Sequence, residues 1–75
     1  MDREELLELI LGAIAEYKDV DVGDLDSGDS FTELELDPVD VMNIVQDIAE
    51  GQELEVPRGY EFTQSPEELA EYICG

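Results

Sequence analysis

Histidine is absent from this 75-residue chain, cysteine occurs once, and only Arg3, Lys18 and Arg58 carry positive charge. With no histidine in the chain, the imidazole that commonly activates a cysteine nucleophile is missing for the terminal Cys74. A single thiol builds no internal disulfide and no zinc site, so the chain does not rely on an oxidising compartment. Cys74 reads as a small apolar residue at a helix end; a reactive thiol or a link between two copies are the functional alternatives. No apolar run is long enough to span a membrane. The opening Asp2-Arg3-Glu4-Glu5 is wrong for a secretory signal, and a cytoplasmic protein is expected.

What the chain has in excess is acid. Its 22 Asp and Glu residues give a formal net charge of −19. Such a surface repels phosphate backbones and anionic lipid heads, which argues against nucleic acid and membrane as partners, and it steers toward basic protein patches. Disorder is the other reading of high charge, but the apolar fraction is 43% and its residues are periodic, so the chain folds. Self-repulsion should make that fold salt-sensitive. Residues 1–75 suffice for one domain, expected as a monomer, with a thin core: a chain this size buries roughly 60% of the surface exposed on unfolding. A deep apolar cleft that raises a carboxyl pKa for acid–base work does not fit in such a core. The chain is therefore not expected to be an enzyme.

Apolar residues Leu6, Leu7, Leu9, Ile10, Ala13, Ile14 and Tyr17 recur at spacings of three and four and predict a helix over 2–17. Acidic residues crowd its first turn, where they complement the helix dipole. Gly12 costs about 1 kcal/mol relative to alanine there, which points to a closely packed neighbour. A long loop over 18–30 follows, with Val20, Val22, Leu25 and Phe31 as apolar anchors, and a helical turn over 30–34. Asp37 is a strong N-cap and Pro38 sits at the first helical position, where its missing N–H costs nothing. The second helix runs from there with Val39, Met42, Val45, Ile48 and Ala49 as its buried stripe, flanked by Val41 and Ile44, and Gly51 as its stop. Leu54-Glu55-Val56-Pro57 is too short for a strand. Ser65-Pro66-Glu67-Glu68 repeats the helix-start signature, and Leu69, Ala70, Tyr72 and Ile73 give the last helix its apolar side. The expected core is Leu6, Ile10, Ile14, Phe31, Val39, Met42, Val45, Ile48, Val56, Leu69 and Ile73.

The run Phe31-Thr32-Glu33-Leu34-Glu35-Leu36-Asp37-Pro38-Val39-Asp40 resembles the acyl-carrier-protein motif, in which phenylalanine, acid and leucines precede Asp-Ser-Leu. The likeness continues through the second helix, Leu54-Glu55-Val56-Pro57 and the segment from Phe62 to Ile73. It implies an all-α fold, a small antiparallel helix bundle of acyl-carrier-protein type with a long loop between its first and second helices. It also implies a role in fatty acid, polyketide or related biosynthesis. In that family the serine after the aspartate carries phosphopantetheine, at a helix N-terminus suited to a phosphodiester. Here Pro38, preceded by Asp37, matches the serine position, and proline has no hydroxyl to modify. Glu35 stands where the motif usually has glycine. Ser27, Ser30 and Ser65 lie outside the motif position. Pro38 is either a cap that drifted free of constraint or the mark of a carrier fold kept for binding alone. No cofactor is expected, phosphopantetheine being the family's own.

The resemblance further implies that the second helix is read by basic patches on partner enzymes. The matching positions are Glu35, Asp37, Val39, Asp40, Asn43, Asp47 and Glu50. Against docking stands the plainer reading of an acidic, solvated helix face. A competing motif covers the preceding loop: Asp24, Asp26, Gly28, Ser30, Thr32 and Glu35 fall in an EF-hand calcium register. Its fifth position lacks an oxygen ligand at Gly28, and its sixth holds Asp29 in place of glycine. A divalent-binding or structural acidic module is accordingly the alternative function, with no specific metal ligands assigned.

Overall fold

The computed structural model describes residues 2–74 as a bundle of three helices: α1 (Arg3–Lys18), α2 (Pro38–Gln52) and α3 (Pro66–Cys74). Single 3₁₀ turns, Val22–Asp24 and Tyr60–Phe62, interrupt the two connections, and no strand occurs among the described residues. This is the all-α carrier-type fold expected. Each helix begins on a polar side chain that satisfies a backbone N–H the helix leaves free. Asp2 Oδ1 accepts from the Glu5 N–H at 2.9 Å, Asp37 Oδ1 from Asp40 at 2.9 Å, and Ser65 Oγ from Glu68 at 3.2 Å.

The helix ends were less legible. Gly51 does not stop α2; the helix runs on to Gln52 and closes at Glu53, which is left-handed at φ 54°. Both the Glu53 and Leu54 N–H groups then bond the Ala49 carbonyl, and this turn brings Leu54 back against the core. Burying Leu54 offsets the roughly 1–2 kcal/mol that a non-glycine residue loses in the left-handed region. Gly12 also departs from expectation. A methyl added there meets nothing within 4 Å, so no neighbour explains the glycine.

The core combines Leu6, Ile10 and Ile14 of α1 with Val41, Ile44 and Val45 of α2 and Leu69 and Ala70 of α3. Phe31 and Leu36, from the turn before α2, complete it. α1 packs on both other helices, while the Tyr60–Phe62 turn touches α2 and α3. Of the expected core, Ile48, Val56 and Ile73 lie partly buried against this cluster. Val39 and Met42 do not belong to it: they are 62% and 39% exposed. The buried face of α2 is 41, 44, 45 and 48, and at about 100° per residue Val39 points to the far side. Tyr17, Val20 and Val22 are likewise on the surface. The long loop is held instead by Phe31, by Leu25 against the core and by its backbone. The Phe31 N–H bonds the Gln64 carbonyl at 2.7 Å and the Glu67 N–H bonds the Ser27 carbonyl at 3.3 Å.

Urea denaturation checks the phase of α2. Ile44→Ala should cost about 2–5 kcal/mol as a cavity in the core. Val39→Ala should stay within about 0.5 kcal/mol as a surface change. Equal losses would place the buried face elsewhere.

Candidate functional site

The start of α2 is built from its own sequence. Asp37 is extended (φ −95°, ψ 171°), so its side chain reaches forward to the Asp40 N–H. Asp40 Oδ2 reaches back to the Asp37 N–H at 3.2 Å, which completes a reciprocal capping box. Pro38 occupies the first helical position between them, its ring exposed.

The last residues of α1 grip this cap from two sides. The Tyr17 hydroxyl donates to Asp40 Oδ1, and Lys18 Nζ donates to the Glu35 carbonyl at 3.1 Å. Glu35 is itself left-handed at φ 61°, which turns the chain so that Leu36 enters the core and its N–H bonds the Phe31 carbonyl at 2.8 Å. Neither Tyr17 nor Lys18 was singled out for this site from the sequence. Both contacts are tertiary, and the only local signal was that Lys18 is the one lysine in the chain.

The same hydrogen bond moves both its partners' acidities. Tyr17's donation holds the Asp40 carboxyl below its usual range, helped by the Asp37 backbone and the Lys18 charge. Asp40 in turn pushes the Tyr17 phenol up, against a smaller opposing contact with Asn43. Asp40's folded value lies below its unfolded one, so its stabilisation is present above about pH 4 and lost as pH falls through the folded value. Asp29 has the opposite sign. Desolvation, then the charges of Asp26 and Glu33, push it up, and its contribution is lost as pH rises through the raised value.

Beside Pro38 lies a half-open cavity of about 230 Å³ whose lining includes Phe31, Leu36, Val41, Glu61 and Thr63. Three hydroxyls, those of Ser30, Thr32 and Thr63, also line it. Ser30 Oγ accepts from the Glu33 N–H at 3.1 Å and Thr63 Oγ1 donates to the Tyr60 carbonyl at 2.6 Å, so both serve turns.

Of the residues expected on the recognition face, Glu35, Asp37, Val39, Asn43, Asp47 and Glu50 are exposed, as is Pro38. Asp40 is half-buried and committed to the cap. Asn43 and Asp47 also line a shallow groove with Ala13, Glu16 and Tyr17 of α1. Met42, assigned to the core from the sequence, joins Val39 on the outer face. The EF-hand register does not converge. Asp26 Oδ1 accepts from the Gly28 N–H at 2.9 Å, and among the described residues no group of three or more acidic or cysteine side chains is placed to hold a metal ion. Nor, among the described residues, is any helix long and apolar enough to cross a membrane.

A family model described as a phosphopantetheine attachment site matches residues 8–73. The chain belongs to this family. The match spans all of α2 and the capping box, and most of α1 and α3. No curated protein and no solved structure matches the chain. Membership in the phosphopantetheine attachment family makes this a carrier-type domain, in agreement with the helical bundle.

Tyr17→Phe removes the donor to Asp40 while leaving the ring. The Asp40 titration midpoint, followed by the NMR shift of its carboxyl carbon, should rise toward the ordinary aspartate range, about 3.9. An unmoved midpoint would mean that the contact does not exist in solution.

Proposed function

We propose that this chain is a carrier-type domain that acts without a covalent arm, docking on enzymes of fatty acid, polyketide or related biosynthesis through the outer face of α2. It is a non-catalytic cytoplasmic partner in this reading. The observation that carries it is Pro38. Phosphopantetheine attachment needs a hydroxyl oxygen to take the phosphoryl group, and the pyrrolidine ring at the first position of α2 has none. The neighbouring hydroxyls of Ser30 and Thr63 are engaged in turns, and Thr32 lies in the turn before α2 rather than at its first position. The side chains at this helix start therefore do not fit the family's prosthetic group.

What supports docking is the composition of the exposed face. Val39 and Met42 offer apolar area amid Asn43, Asp47 and Glu50, with Glu35 and Asp37 at its head. Exposed ion pairs are individually worth little, so the carboxylates act mainly on encounter rate and on exclusion of acidic partners. Desolvation of Val39 and Met42 supplies the hold, at about 25 cal/mol per Å² of apolar area buried. Asp40 stands apart: it keeps the helix start rigid so that the face is presented in one geometry.

Incubation with coenzyme A and a phosphopantetheinyl transferase, followed by intact-mass measurement, tests the reading. The native sequence should gain nothing, and Pro38→Ser should gain one phosphopantetheine. A gain on the native sequence would overturn the arm-less reading, and a Pro38→Ser variant that stays unmodified would contradict the assignment of this position.

A further inference from the structure

Phe62 is 80% exposed, the most exposed large hydrophobic side chain among the described residues. Its place follows from the 3₁₀ turn over Tyr60–Phe62, which packs Tyr60 against the core and sends the third residue outward. Gly59, at φ +94°, opens that turn and accepts from the Phe62 N–H at 3.0 Å. A side chain there is excluded twice over. The backbone is in the glycine region, and a Cβ would stand 2.7 Å from the Tyr72 hydroxyl oxygen and 3.8 Å from the Phe62 ring. The glycine thus lets two aromatic rings approach one floor. Tyr72 is fixed there because its hydroxyl donates to the Arg58 carbonyl.

The result is an open groove of about 410 Å³ between the Tyr60–Phe62 turn and α3, lined by Gly59, Phe62, Thr63, Glu68, Glu71 and Tyr72. Glu68 is oriented by the Gln64 N–H, which donates to its Oε2 at 2.7 Å, and Glu71 is exposed. Two aromatic rings with two carboxylates form a pairing that suits one chemical group above others, the guanidinium. Its flat face is weakly hydrated and stacks on aromatic rings, while its edge forks onto carboxylates. A second copy of this chain, at net charge −19, is repelled from the groove, as is any acidic or anionic surface. We infer that this groove is a docking site for an arginine-bearing segment of a partner protein, separate from the outer face of α2.

The probe is an acetylated and amidated peptide carrying arginine among glycine and serine residues, titrated into the ¹⁵N-labelled protein at about 150 mM salt, where diffuse attraction is screened. Saturable binding is expected, with the largest shifts at Gly59, Thr63, Glu71 and Tyr72. Phe62→Ala should weaken it about tenfold, Glu71→Gln several-fold, and replacing arginine by lysine in the peptide several-fold. Both changes are on exposed side chains, and an otherwise unchanged amide spectrum establishes that each variant is folded. Shifts centred on Asp47 and Glu50 of α2, affinity indifferent to both substitutions, or no saturable binding would each overturn the inference.

Discussion

The carboxylates of Asp37 and Asp40 each accept the other residue's backbone N–H across one turn, and the geometry of the start of α2 depends on that exchange. It fixes where α2 begins, which fixes that Pro38 is the first helical residue. From that start, packing on the core turns the helix so that Val41, Ile44 and Val45 are buried while Val39 and Met42 face water. Tyr17 and Lys18 extend the constraint across the bundle by tying the cap and the preceding carbonyl of Glu35 to the end of α1. A helix start held on both sides by charge-assisted bonds keeps one shape.

The same chemistry accounts for how a chain of net charge −19 folds around so thin a core. Its carboxylates are not all idle surface charge. Asp2, Asp26, Asp37, Asp40 and Glu68 each accept a backbone N–H at a helix start or turn. Each therefore replaces a capping water with a bond worth more than a neutral one, against the repulsion of the whole. The remaining acids lie on helix faces and loops, where they bias encounter toward basic partners. Charge and fold are coupled through the helix ends rather than through buried ion pairs.

The starts of the helices were legible in the sequence because they are local: Asp2, Asp37-Pro38 and Ser65-Pro66 state their geometry within four residues. The family was legible for a related reason, the order of motif, helix and closing helix along nearly the whole chain. The rotation of α2 was not. Val39, Val41, Met42, Ile44, Val45, Ile48 and Ala49 cover most of its circumference, so periodicity alone admits two buried faces about a quarter-turn apart. Only packing against Leu6, Ile10 and Ile14 of α1 and Leu69 and Ala70 of α3, far off in the chain, decides between them. Gly51 misled because the left-handed residue that ends α2 is Glu53, chosen by the burial of Leu54. Asp40 was expected on the exposed face of α2; it is half-buried, and its bond to Tyr17 spans 23 positions, which no local pattern encodes.

Whether the helix start is a closed cap or an attachment point is decided on the protein as its own cell makes it. The measurement is the mass of the proteolytic peptide containing Asp37-Pro38-Val39, taken from protein isolated from that cell. The account predicts the mass of the bare sequence in all of the material. A fraction heavier by one phosphopantetheine, with fragmentation placing the added group on this peptide, would contradict it.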